Sequence, residues 1–194
     1  CFYVNEVFQG RAPGRIIETT SDAKQVSENQ FVINQQLDWC GPVEWGARDG
    51  RIIAKEHRKL SVTISDYANI ISVDSELEAA CGELILGPTR HAYFNVRVAE
   101  SMTVANGGLI QHQPDLATAG DKLIDSAKWV DFSGPVGGGA KAGITVIPQA
   151  IEGQTFNWFV SDWGVISVGP YKNLQTRLRK GERFSYFKGS RADR

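Results

Sequence analysis

A chain of 194 residues with 21 basic against 22 acidic side chains and a formal charge of -1 presents no field that would draw a phosphate backbone or an anionic membrane. It is long enough to bury a core of its own, and it contains no run of about 18 apolar residues that would span a bilayer. Nucleic acid is therefore excluded as the expected partner and a membrane span as the expected anchor, which leaves a soluble domain of unassigned compartment, with export to the periplasm or outside one expectation.

Residues 1–15 show neither the charged start nor the apolar stretch of a signal peptide. The chain begins at Cys1, as a processed protein does, or a piece that starts inside a longer one. A lipid-bearing N-terminal cysteine is a further alternative. The expectation is a single β-sandwich domain over residues 1–194, either whole or short of an N-terminal part. Cys1, Cys40 and Cys81 are odd in number and far apart, so they form neither a zinc pair nor a disulfide framework. One bridge could form on export; the alternative is three small buried apolar side chains.

In chain order, residues 15–20 (RIIETT) and 30–39 (QFVINQQLDW) are β-rich and predict two strands, joined by a polar loop or hairpin connection. A turn follows at Cys40-Gly41-Pro42. Asp49-Gly50 then predicts a hairpin between residues 43–47 and 51–56, because both residues tolerate the positive φ of a type I′ turn. Leu60, Val62 and Ile64 alternate with Ser61, Thr63 and Ser65, the period of a strand with one buried face. Residues 70–78 place Ile71, Val73 and Leu77 on one face and Asp74, Glu76 and Glu78 on the other. Three carboxylates along one strand face make either a solvated exterior or a polar binding face.

Residues 91–102 (HAYFNVRVAESM) alternate Ala92, Phe94, Val96 and Val98 with His91, Tyr93, Asn95 and Arg97. The second set is either an exposed strand face or a site: it could hydrogen-bond a polyhydroxylated ligand from several directions, and an imidazole moves protons near neutral pH. Residues 104–125, with the turn Asn106-Gly107-Gly108 and with His112, predict a long irregular loop. A short helix around residues 115–126 is the one helical candidate. Residues 142–147, 155–160 and 183–188 predict further strands.

Residues 129–171 hold Trp129, Trp158 and Trp163, three of the five tryptophans. With Tyr171 they could stack on sugar rings while Asp131 and Asp162 accept hydroxyl hydrogen bonds; each tryptophan could equally fill a core. Residues 134–141 (GPVGGGAK) lack the Gly-Lys-Ser/Thr ending of a phosphate loop and read as a hairpin connection. There is no Gly-x-Ser-x-Gly, and no cysteine stands beside a nearby histidine, so acid/base chemistry is what the inventory permits. His57, His91 and His112 are too scattered to show a ligand pair. No cofactor is expected, and a metal held by two of them stays open.

Trp129-Val130-Asp131-Phe132-Ser133-Gly134, the apolar strand at 142–147, and Asn157-Trp158-Phe159-Val160-Ser161-Asp162-Trp163-Gly164 resemble the signature of a bacterial family labelled "methane oxygenase PmoA". That family's form is Trp-Val-Asp-Tyr-Ser-Gly, an apolar strand, and Trp-x-x-Arg-Asp-Tyr-Gly. Residues 94–99 (FNVRVA) and 14–17 (GRII) are similar to it as well, so the resemblance runs from about residue 14 to residue 171. It implies a large antiparallel β-sandwich of the galactose-mutarotase type, found among bacterial carbohydrate-degradation proteins. The chain begins too late for the family's upstream His-His. It has Glu18 near a family histidine, Ser161 for the arginine and Trp163 for the tyrosine, which favours binding over catalysis.

The expected fold is all-β, an antiparallel sandwich with few or no long helices. The expected activity is carbohydrate-directed acid/base chemistry on a sugar or uronate, of epimerase, lyase or hydrolase type. His91, His112, Asp131 and Asp162 are the catalytic candidates. Arg97, Tyr93, Asn95, Trp129, Trp158, Trp163 and Tyr171 are expected to bind a small-molecule or oligosaccharide ligand. The alternatives are a non-catalytic carbohydrate-binding module and a histidine-ligated metal-dependent oxidase. The oligomeric state is not readable.

Overall fold

The structure, a computed structural model, describes residues 12–43, 46–89, 94–113, 122–125, 127–149, 155–171 and 173–187. Among them there is no α-helix. The elements are β1 (Arg15–Ser27), β2 (Gln30–Cys40), β3 (Ile52–Ile64), β4 (Asn69–Ala79), β5 (Leu84–Leu86), β6 (Phe94–Arg97), β7 (Leu109–His112), β8 (Lys122–Asp125), β9 (Val130–Gly137), β10 (Ala140–Val146), β11 (Asn157–Ser161), β12 (Val165–Gly169), β13 (Thr176–Leu178) and β14 (Arg183–Phe187), with short 3-10 turns at Glu100–Met102 and Val104–Asn106. The expected all-β, antiparallel architecture of the sandwich type is what the chain adopts. The chain forms two compact units, Cys1–Ile85 with Arg177–Arg194, and Leu86–Thr176.

The first unit is built on a five-stranded sheet in the order β1-β2-β3-β4-β14, antiparallel throughout. Directly opposed residues share a face, so the register sorts side chains into rows. Trp39, Ala54 and Ala79 form one row, Leu37, Glu56 and Leu77 the next, and Gln35, Arg58 and Ser75 a third. Leu37, Ala54, Leu77 and Ala79 are buried, which makes this the core face. The rows between them, Gln36 with His57 and Glu76, and Asn34 with Lys59 and Asp74, project from the other face.

Three expectations are corrected here. Residues 21–27 were expected in a polar connection but continue β1, which is exposed along its whole length. An edge strand needs only its ladder to β2, with charges such as Asp22 and Lys24 suiting an unpaired edge, so polarity did not mark a loop. Residues 43–47 were expected as a strand; of these, 44 and 45 lie outside the described residues. Instead the partner of β3 is β2, with Cys40 opposite Ile52 and the Gly41 N–H donating to the Arg51 carbonyl at 2.8 Å. Asp49-Gly50 is a turn, as expected, but within the β2–β3 connection: the Gly50 N–H donates to the Ala47 carbonyl at 3.0 Å. At φ +78, a side chain on Gly50 would run into the Gly41 carbonyl. The third concerns residues 115–126, where 122–125 form β8 against β11. Tertiary pairing overrides a weak helical preference there; residues 114–121 and 126 lie outside the described residues.

The second unit carries a three-stranded sheet, β10-β9-β7, and a four-stranded one, β6-β12-β11-β8. Val130 and Phe132 on β9, Ile110 on β7, Trp158 and Val160 on β11, and Ile166 and Val168 on β12 are all buried. The expected long strand at 91–102 is described only as β6; residues 90–93 lie outside the described residues, and the chain turns through Glu100–Met102. The expected loop at 104–125 contains β7 and β8. Gly137, Gly138 and Gly139 close the β9–β10 hairpin with positive φ at each position, as expected of the glycine run.

Candidate functional site

The register separates most of the residues expected to form a site in the second unit. His112 lies opposite Val130, and Asp131 opposite Gln111 and Thr145. His112 therefore shares the face of the buried Val130 and Ile110, and its buried Nδ1 makes no hydrogen bond among the described residues. Asp131 points from the opposite face, where Thr145 Oγ1 donates to its Oδ1 at 2.6 Å. His112 and Asp131 thus cannot act on one ligand from one face. Asp162 sits in the β11–β12 turn of the other sheet, its carbonyl accepting from the Val104 N–H at 3.0 Å. His91 and Tyr93 lie outside the described residues.

Of the aromatic candidates, Trp158 is 1% exposed and donates through Nε1 to the Ala127 carbonyl at 2.9 Å. It fills the core, and a stacking role for it is corrected on that ground. Tyr171, 3% exposed, is also interior; burial pushes its phenol up to about 12, with Thr176 as a hydrogen-bonding neighbour that opposes the rise. Trp129 is half-buried. Trp163 is 45% exposed, and the Arg97 guanidinium lies over its ring at 5.5 Å from the centroid, within the range of a cation–π contact. The turn explains this exposure: Gly164 takes φ +98 and closes back on Ser161 at 3.1 Å, so Trp163 stands at the apex. Asn95 and Arg97 are both exposed on β6. Arg97, Trp163 and the half-exposed Asp162 are thus the expected site residues that the fold keeps accessible in one neighbourhood.

A concavity lies on the first unit's sheet. It measures about 750 Å3 and is lined by residues of β1, β2, β3, β4 and β14. Thr20, Gln36, His57, Glu76 and Ser185 form one cross-strand row and Asp22, Asn34, Lys59 and Asp74 the next on the same face. The size falls in the range of about 300–1,000 Å3 usual for small-ligand sites. Its walls offer hydroxyls, two carboxamides, an imidazole, carboxylates and an ammonium, a mixture that donates and accepts hydrogen bonds in many directions. Glu76 is held at its Oε1 by Arg183 Nη1, at 3.0 Å, and Asp22 by Lys24 at 3.0 Å. The side chains of Thr20, Asn34, Gln36 and His57 make no hydrogen bond or ion pair among the described residues.

Opposite this concavity, on the core face, Glu56 is 2% exposed yet ionically satisfied. Arg58 grips it with Nε at 2.9 Å and Nη2 at 3.0 Å, Ser75 donates at 2.8 Å, and Trp39 Nε1 donates at 2.8 Å. A carboxylate with all four bonds made has no lone pair to spare for a substrate, so it anchors the sheet. Burial, and secondarily the Asp38 carboxylate, push the Cys40 thiol up, which makes it an inert core side chain.

Sequence reasoning weighed Asp74 and Glu76 as a polar face but did not assemble His57, Asn34, Gln36 and Lys59 around them. The available signal was the period of two in QFVINQQLDW and KEHRKL, which sets Asn34 with Gln36 and His57 with Lys59 on one face. Among the described residues, no three His, Cys, Asp or Glu side chains gather as metal ligands, and no helix is long and apolar enough to cross a membrane.

Fold and concavity together define an all-β, antiparallel protein that carries a polar ligand-sized depression on a sheet face. The chain belongs to the family of unknown function DUF6807, whose model matches residues 5–187. No curated protein matches it.

Proposed function

We propose that the protein is carbohydrate-active and that a saccharide lies across the five-stranded sheet in the depression between β1 and β14. The observation that carries this reading is the lining: hydroxyl, carboxamide, imidazole and carboxylate groups on five adjacent strands around about 750 Å3. Such a set matches a ligand whose hydroxyls both donate and accept, and it suits an apolar ligand poorly. The resemblance of residues 129–134 and 157–164 to the family labelled "methane oxygenase PmoA", with its carbohydrate-degradation setting, supports the same reading. His57, opposite Glu76 on the neighbouring strand, is the acid/base group for proton transfer at a sugar carbon or glycosidic oxygen.

A second reading, a non-catalytic carbohydrate-binding module, is favoured by one observation: Trp163 is exposed beside Arg97 and Asp162, as a stacking platform would be. Calorimetry and turnover assays on a saccharide panel, with the parent protein, His57→Ala and Trp163→Ala, separate the two. Loss of turnover in His57→Ala with binding kept supports the enzyme. Binding without turnover, lost in Trp163→Ala, supports the module, and no saccharide binding at all contradicts both.

A further inference from the structure

We infer that the ligand of the sheet depression is a neutral saccharide and not a uronate; this deepens, and rests on, the placement of a saccharide in that depression. The inference comes from how charge is distributed around the cavity. Three carboxylates line it, Asp22, Asp74 and Glu76, with Glu78 beside Glu76 on the shared Arg183 and Glu56 on the core face, against Lys24, Arg58, Lys59 and Arg183.

Three of the carboxylates are matched directly. Asp22 pairs with Lys24 at 3.0 Å, Glu76 with Arg183 at 3.0 Å, and Glu56 with Arg58 at 2.9 Å. Asp74 lies directly opposite Lys59 across β3 and β4, the cross-strand position at which opposite charges attract. Arg58, the guanidinium that could fork onto a ligand carboxylate, is committed to Glu56 on the core face. The lining carries three carboxylates, Asp22, Asp74 and Glu76, with Lys59 opposite Asp74, so a uronate entering here would meet more like charge than opposite charge while its own charge loses hydration. The groups left with hydrogen-bonding capacity, Thr20, Asn34, Gln36 and His57, suit the hydroxyls of a neutral ring.

The test compares binding of neutral hexose oligosaccharides with their uronate counterparts of the same linkage, by calorimetry at low and at high salt. The parent protein is measured beside Asn34→Ala/Gln36→Ala, a pair of exposed changes that leave the core untouched. The expected result is neutral-sugar affinity that salt leaves unchanged, about tenfold or more weaker binding of the uronates, and loss of the neutral binding in the double variant. Uronates that bind more tightly and weaken with salt overturn the neutral-ligand inference while leaving the saccharide reading in place. Neutral binding that survives in the double variant overturns the location. Failure of every saccharide overturns the proposed function as well.

Discussion

The two compact units treat polar and aromatic residues in opposite ways. In the first, long strands carry rows of amides, carboxylates and bases on one open sheet face, and a single buried carboxylate, Glu56, is saturated beneath it. In the second, the aromatic-rich stretch at 129–171 turns inward: Phe132, Trp158, Phe159 and Tyr171 are core, and Trp163 alone of its tryptophans is largely exposed. The difference is instructive. A dense run of aromatics has so much surface to bury that the core claims most of it, whereas short polar side chains alternating on adjacent strands look ordinary one strand at a time and become a site only when the register lines them up.

This contrast can be broken most forcefully at Trp158. Trp158→Ala is expected to cost about 3–5 kcal/mol, read as a lower denaturant midpoint; a change below about 1 kcal/mol would mean that the indole is not core. Next comes Glu56→Ala, which strands Arg58, the Trp39 N–H and the Ser75 hydroxyl on the core face. It should cost about 3 kcal/mol, measured in the same way, and a near-neutral result would remove the anchor from beneath the depression.

Tyr171 gives a pH-dependent version of the test. Its phenol ordinarily titrates at 10.0 and is pushed up to about 12 in the fold. The native state therefore holds the proton more tightly than the unfolded chain does. The associated stability is fully present below pH 10 and is lost as pH rises from about 10 to about 12, a total of about 2–3 kcal/mol. Tyr171→Phe should remove that alkaline slope in unfolding measurements between about pH 9 and about pH 12; an unchanged slope would contradict an interior phenol. Gly50→Ala, which forces a side chain into φ +78 against the Gly41 carbonyl, should cost about 1–2 kcal/mol. Smallest of all, Asn34→Ala should shift stability by no more than about 0.5 kcal/mol while weakening saccharide binding.

Much of the fold was legible because burial imposes a period. Ile71, Val73 and Leu77 alternate with Asp74, Glu76 and Glu78 in the sequence, and β4 sets them on opposite faces, with burial complete at Leu77 while Ile71 stays exposed. The Gly137–Gly139 turn was legible for a local reason, since three adjacent glycines permit backbone that other residues resist. The polar half of β1 was not, because an edge strand held by ladder bonds needs no apolar face. Neither was β8, whose strand state is set by its partner β11. The site was the least legible part. Asn34, His57 and Asp74 come from three strands, and which residue of each faces the others is fixed by register, a long-range property that no local pattern encodes. His112 and Asp131, both catalytic candidates, are separated for the same reason, since the register sets them on opposite faces of their sheet.

The most direct test of the account is backbone-amide chemical-shift mapping of the isotope-labelled protein titrated with a neutral oligosaccharide. The account predicts saturable shifts clustered at Asn34, Gln36, His57, Lys59, Asp74 and Glu76, with Arg97, Asp162 and Trp163 unmoved. Shifts confined to Arg97, Asp162 and Trp163, with the five-stranded sheet silent, would contradict it.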